Sequence, residues 1–461
     1  MNHDYDAIII GAGVIGACTG FELARKGYRT LNVDKQPAAG SGSTSSTCAI
    51  IRFHYSTPEG CAMARESYFH WLDWGRYLGV PDEMGLAKYV NTGCLVVKND
   101  GNHDLVRVTA VLDELHVAYE DLRAEEVAAR FPWIDTRAYG PPVSTDDERF
   151  GEPTGGHIRG AVYIPESGYI DDPTLACHNV QRACEARGGE FRFGAEVVEI
   201  LREGGRAPGR ESSEDSPDRI GGARPGEGTS ERVAGVRLAD GSIIRAPVVV
   251  NVGGPHSAII NGMAGVLDGM NVRTRPLKKE VCYVPAPADM DYHQVAPLIS
   301  DGDIGCYSRP TTGNQVLIGS QDPECDVPEW VDDPDDYNTG FTRQWETQVM
   351  REAQRVKGLG IPGQTGGLVD LYDVADDWIP IYDMSDLPGF YMAVGTSGNQ
   401  FKNAPVAGKL MAELIEQVEG GRDHDADPVS IPLKYTRRTC DIGFFSRRRP
   451  PNPDSSYTVI G

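Results

Sequence analysis

Residues 5–10, YDAIII, run without a spacer into Gly11-Ala12-Gly13-Val14-Ile15-Gly16. The apolar residues that follow, Val14, Ala17, Cys18, Phe21 and Ala24, recur at helical spacing. Gly27 stops the helix, and TLNVD, residues 30–34, reads as a second strand ending on Asp34. A strand, a Gly-x-Gly-x-x-Gly turn, a helix and an acid at the tip of the next strand constrain the fold more than any other feature of the chain. Together they specify a βαβ unit with a parallel sheet. In such a unit Gly11 permits the tight turn, Gly13 lets backbone approach a pyrophosphate, and Gly16 lets the helix pack on the strand. The helix start offers N–H groups and a positive dipole end to the phosphates. Asp34 is placed to hold a ribose hydroxyl. Val14 and Ile15, which open the helix, and Lys35, which follows the acid, belong to the same dinucleotide cradle. FAD and NAD share this fingerprint, so it does not choose between them.

The 461 residues are enough for two domains. Acidic residues outnumber basic ones 67 to 44, a formal net charge of −23. Such a surface repels phosphate backbones and anionic lipid, which disfavours nucleic-acid and membrane partners, although a cationic pocket can sit inside an acidic shell. No apolar run reaches membrane-spanning length, and the first residues lack a basic leader followed by an apolar stretch. The ten cysteines are scattered singly, with no CxxC pair. They read as reduced thiols of a cytoplasmic protein. No His, Cys or carboxylate cluster suggests a structural metal.

Further along, helices are expected at 103–118, 123–130, 173–187 and 341–357, and strands at 195–201, 233–250 and within 271–320. The stretch 204–232 is rich in Gly, Ser, Pro and charge and reads as a mobile surface loop joining two strands. His54, His70, Phe69, Trp71 and Trp74 fit a helix packed at a domain face. After Gly421 no element is evident, and the run SRRRPPNP reads as solvated, a tail that wraps the body or a second subunit being the alternative.

Five segments, in order, resemble the D-amino-acid oxidase superfamily, above all its sarcosine oxidase and glycine oxidase branch. They are IIIGAGVIGACTGFELARKG, GSTSSTCAIIR (42–52), VVVNVGGPHS (248–257), YSRPTTGNQVLIG (307–319) and YMAVGTSGNQFKNAPVAGKL (391–410). The resemblance implies FAD and an α/β + β architecture. A discontinuous Rossmann-like FAD-binding domain (1–90, 155–270 and 361–425) would accompany an antiparallel-sheet substrate domain (91–154 and 271–360), leaving 426–461 as a tail. It also implies that Ser43, Thr44, Ser45 and Ser46 lie along the flavin, with Val197, Gly253 and Gly254 elsewhere in the cofactor site. Gly395, Ser397, Gly398, Asn399, Gln400 and Phe401 resemble the turn that closes over the flavin ring.

On the substrate side, the run Ile50-Ile51-Arg52 and the run Gly398-Asn399-Gln400-Phe401-Lys402 resemble those whose arginine and lysine hold a substrate carboxylate in monomeric sarcosine oxidases. A buried anion needs paired charge-assisted hydrogen bonds to offset its desolvation; salt bridges to some of the many acids are the competing use of these cations. Lys279 falls near a lysine that assists reaction with oxygen, Lys278 competing one residue earlier, and Tyr372 matches a pocket tyrosine. Where that branch links flavin covalently through a cysteine, this chain has Asp370, which cannot form a thioether, so FAD is expected to be noncovalent. The implied reaction is oxidation of an amino acid or N-alkylated amino acid, with oxygen or another acceptor. An FAD-linked dehydrogenase of a 2-hydroxy acid or glycerol phosphate, and a flavin-bearing assembly protein without turnover, are the alternatives. The amine and the oligomeric state stay open.

Overall fold

A computed structural model describes residues 3–204 and 231–460. Residues 205–230, most of the expected loop, lie outside the described residues. The strands on either side, Val197–Glu203 and Arg232–Leu238, pair antiparallel.

The expected βαβ unit is present as β1 (Ala7–Ile10), α1 (Val14–Arg25) and β2 (Thr30–Val33). α2 (Pro58–Leu72) follows, and β3 (Val248–Asn251) returns to pair with β1 from the other side. β2 and β3 both run parallel to β1 inside a six-stranded sheet. Every residue of the three strands is buried. A sheet covered on both faces selects unbroken apolar runs, which is why AIII and VVV do not alternate with polar residues.

The second sheet has eight strands. β4 (Thr274–Pro285) and β5 (Gly367–Ala375) form one edge of it and pair antiparallel from Thr274 opposite Ala375 to Cys282 opposite Gly367. One parallel pair, Leu298–Asp301 with Cys94–Val97, interrupts an otherwise antiparallel ladder. From β5 the chain returns to the parallel sheet through Ile381–Met384 and β6 (Phe390–Val394), then enters α3 (Ala404–Glu419). The architecture is therefore mixed α/β, with a parallel Rossmann-like sheet and a large antiparallel sheet.

Four expectations change. Ala161–Ile164 and β5 fall within ranges expected for the cofactor unit, yet both are strands of the eight-stranded sheet. Strand partners are chosen by long-range packing, which short apolar runs do not encode. The helix expected at 103–118 shrinks to Val106–Glu114, because His103, Asp104 and Leu105 adopt positive φ of 48°, 54° and 62°. The run expected to be solvated is clamped to the body. Arg447 is fully buried, 3.1, 2.6 and 2.9 Å from the carboxylates of Asp383, Asp386 and Asp425. Arg449 pairs with buried Asp377 at 2.8 Å. The fold gathers acids from 377–386 and 425 that lie far from these arginines in sequence, and guanidinium forks match them. The fourth change concerns His54. It lies outside α2, whose aromatic residues do pack as expected: Trp71 stacks on Trp74 and Phe401, and its indole donates to the Lys402 carbonyl at 2.8 Å.

Candidate active site

A cavity of about 520 Å³ lies between the carboxyl ends of the parallel strands and one face of β4 and β5. At one end stands α1. Its first turn carries no acid, and Gly13 before it has no side chain to cap with. Gly11 (φ +123°) could not accept a Cβ, which would lie 2.4 Å from the Val252 carbonyl oxygen. Val14 N–H donates to Thr44 Oγ1 at 3.0 Å, tying the Ser/Thr block to the helix start. Asp34 accepts from Ala12 N–H at 2.7 Å and Gln36 N–H at 2.8 Å, so the acid is fixed at the tip of β2. Lys35 reaches across to Asp335 at 2.5 Å and lies 2.9 Å from His256 Nε2.

In the middle, Ser43, Thr44, Ser45, Ser46, Val197, Gly253 and Gly254 line the cavity with Ile10, Ile15 and Gly16. Ser43 donates to the Leu371 carbonyl at 3.2 Å, which stitches the Ser/Thr block to β5. The period-two alternation of β4 puts its two lysines on opposite faces. Lys279 lines the cavity with Val281, whereas Lys278 pairs with Glu329 at 3.1 Å away from it. Lys279 contacts Asp322 and stands 5.6 Å from the Tyr372 ring centre. Burial pushes its ammonium down to about 7, and the Asp326 carboxylate works in the opposite sense by favouring the charged form.

At the far end Arg52 and Lys402 meet over one tyrosine. Their cationic groups lie 4.5 and 5.3 Å from the Tyr55 ring centre. Both residues are buried, at 8% and 4% exposure. Arg52 donates to the carbonyls of His54 and, at 2.7 Å, Val459. Lys402 donates to the Asn399 carbonyl at 2.7 Å and to the Tyr55 hydroxyl at 3.1 Å. Among the described residues neither cation has a carboxylate partner, so the competing use as salt bridges is not what this fold makes of them. Burial, and next the Arg52 charge, hold the Lys402 ammonium well below its ordinary value.

Gly398, Asn399, Gln400 and Phe401 line this end, with Tyr372 against Gly398, whose Cβ would lie 2.3 Å from the tyrosine ring. Gly395 and Ser397, expected among the cofactor contacts, are not in the lining. Ser397 is fully buried, accepts from Ala375 N–H at 3.2 Å and shapes the turn from behind. Several lining residues were not expected: His54, Tyr307, Asp373, Asp335, His256, Val459 and Ile460. His54 sits two residues after Arg52, just past the short strand Ile50–Ile51, and that closeness in sequence was a usable signal. Both of its ring nitrogens are buried with no hydrogen-bond partner among the described residues. Burial, then the charges of Arg52 and Lys402, hold the ring well below its ordinary value and therefore neutral.

Residues 6–414 match the family model described as DAO, FAD dependent oxidoreductase. The chain belongs to this family. It is 25% identical to glycine oxidase of Geobacillus kaustophilus over 96% of this chain and all of that one. It is 23% identical to monomeric sarcosine oxidase of a Bacillus species, covering 94% and 96% of the two chains. A solved L-proline dehydrogenase from P. horikoshii superposes with a TM-score of 0.69 at 19% identity, over 91% of this chain and 95% of that one.

Membership of the DAO family implies FAD, and the residues fit it. The start of α1, which carries no acid and opens on the cavity through Gly13, suits a pyrophosphate. Asp34 keeps carboxylate lone pairs for a ribose, and the Ser/Thr block supplies hydroxyls along the middle. Among the described residues no helix is long and apolar enough to cross a membrane.

Proposed function

We propose that this DAO-family protein oxidises an amino acid or N-alkylated amino acid at a carbon next to nitrogen, with noncovalent FAD and oxygen or another acceptor. The observation that carries this reading is the pair Arg52 and Lys402: two buried cations on one cavity wall with no carboxylate of the described chain to balance them. Uncompensated buried charge is costly unless a ligand completes it, and a carboxylate offers the right sign and fork geometry. FAD, when bound, supplies the two-electron acceptor for the substrate C–H bond.

The chain's own residues do the rest. Tyr55 and the Asn399 carbonyl aim Lys402, and the carbonyls of His54 and Val459 aim Arg52, so the acid end of a substrate is anchored before reaction. The same two positive charges disfavour an ammonium nearby, which shifts a bound amino acid toward its reactive neutral amine. Lys279, Tyr372 and Tyr307 line the same cavity. Relatives named as glycine and sarcosine oxidases support the amine reading. A hydroxy acid also carries a carboxylate, so turnover on a panel of amino and N-methyl amino acids against matched 2-hydroxy acids is the deciding experiment. Oxidation of the hydroxy acids alone would overturn the proposal.

Two further outcomes are expected here. Acid precipitation should release the yellow flavin into the supernatant, since Asp370 stands where the linking cysteine would be; colour retained in the pellet would show a covalent bond. Carboxylate binding should also take up protons at alkaline pH. In the free protein Lys402 is held low by burial and Arg52, and a bound anion must raise it again. Affinity is then fullest below the free-protein value and falls by up to about tenfold per pH unit above it, until the raised value in the complex is passed. Calorimetry with acetate, which has no ammonium proton to lose, over a series of alkaline pH values in two buffers of different ionisation heat measures the uptake. Release of protons on binding would contradict it.

A further inference from the structure

The segment after Asp454 reaches the anchored end of the cavity, and nothing in the proposed reaction uses its side chains. It is delivered there by a firm track. Arg447 and Arg449 are clamped to the body, Asn452 N–H donates to Asp377 at 3.2 Å, and Asp454 pairs with Arg107 at 3.0 Å. Five residues later the Val459 carbonyl accepts from Arg52 at 2.7 Å. The Val459 side chain packs against two apolar groups on the cavity face of the large sheet: Leu277, Val374 and Trp378, and Val281, Tyr307 and Leu317. Ile460 lines the same cavity.

We propose that Val459 and Ile460 complete the substrate cavity and set the length of the carboxylate-bearing amine it takes. The inference rests on the carboxylate reading of Arg52 and Lys402. A ligand anchored at Arg52 starts within one hydrogen bond of the Val459 backbone. Its remaining carbons then run beside the Val459 side chain, which packs on the apolar groups of the sheet face. The carbonyl is a neutral acceptor: it orients the guanidinium without cancelling its charge, so the anchor remains available. Wall and anchor are thus parts of one unit, and a change of side-chain volume at 459 alters room without removing the carbonyl.

The test uses the FAD-loaded full chain and follows the visible flavin spectrum while acetate, propionate, butyrate and valerate are titrated in. Val459→Ala should tighten butyrate and valerate by about fivefold or more relative to acetate, and Val459→Trp should weaken them by about tenfold or more relative to acetate, in line with the discrimination that one methylene brings in an apolar pocket. Both variants retain the backbone carbonyl, and their FAD content checks that each folds. An unchanged order of the four acids in both variants would overturn the proposal. A uniform shift for all four, acetate included, would also overturn it, because the segment would then act on Arg52 alone. The underlying reading fails separately: if the parent protein binds none of the four, or if Lys402→Met binds them as well as the parent does, the cations do not hold carboxylates and the wall proposal falls with them.

Discussion

Lys402→Met should fold, hold FAD and lose about thirtyfold or more of its kcat/KM toward the acid substrate. The figure follows from removing one partner of a buried charge pair, which costs about 2–5 kcal/mol. Methionine keeps the length of the side chain and its apolar contacts while deleting the charge, so the packing around it is preserved. The hydrogen bonds to the Asn399 carbonyl and the Tyr55 hydroxyl are lost with it. A methyl ester or decarboxylated analogue serves as the internal control, having no anion to leave half-paired. It should lose only a fewfold. Equal losses for acid and ester would mean that the variant damages the site as a whole, and Lys402 would leave the carboxylate site.

Gly13→Val should yield soluble, folded and colourless protein, its FAD-to-protein ratio down by roughly tenfold or more, a change of about 1.4 kcal/mol at least. The three fingerprint glycines differ in how informative they are as probes. A Cβ at Gly11 would meet the Val252 carbonyl oxygen at 2.4 Å, and one at Gly16 would meet the Gly11 carbonyl oxygen at 2.3 Å, so either substitution disturbs the fold itself. Gly13 has φ −68° and ψ 174°, open to any residue, and its Cβ would meet only the Thr44 hydroxyl, at 3.2 Å. The added methyls therefore enter cavity space beside the helix start, where a pyrophosphate would pass. Circular dichroism matching the parent, together with loss of the visible flavin absorbance, is the expected pair of results. Parent-like FAD content would remove the fingerprint from the phosphate site.

The features legible in the sequence are those that short stretches of chain encode. The βαβ unit, its three glycines and Asp34 lie within one short span, and their spacing leaves one arrangement open. The buried strands AIII and VVVN announce themselves because a two-sided sheet tolerates no polar alternation. That Lys278 and Lys279 point to opposite faces is legible from strand alternation alone, and Lys279 is the one on the cavity side. His54 lies two residues from Arg52, but the aromatic-rich helix that follows carries the stronger pattern, that of a packed face.

The remainder depended on contacts between distant segments. Whether Arg52 and Lys402 were salt-bridged could not be told from a chain with 67 acids; only their placement on one wall, with neutral carbonyls and a tyrosine as partners, leaves them without an acid. The arginines of 447–449 look solvent-bound in isolation, since charge alone predicts exposure. The clamping of Arg447 and Arg449 is decided by Asp377, Asp383, Asp386 and Asp425, which only the folded chain gathers around them. That clamp in turn carries Val459 to Arg52, a contact across four hundred and seven positions. Local sequence determined the cofactor cradle, because strand, turn and helix are short-range structures. Tertiary structure decided the shape of the cavity, because its walls come from distant segments of the chain and the face of a sheet, and no short-range pattern records which of them meet.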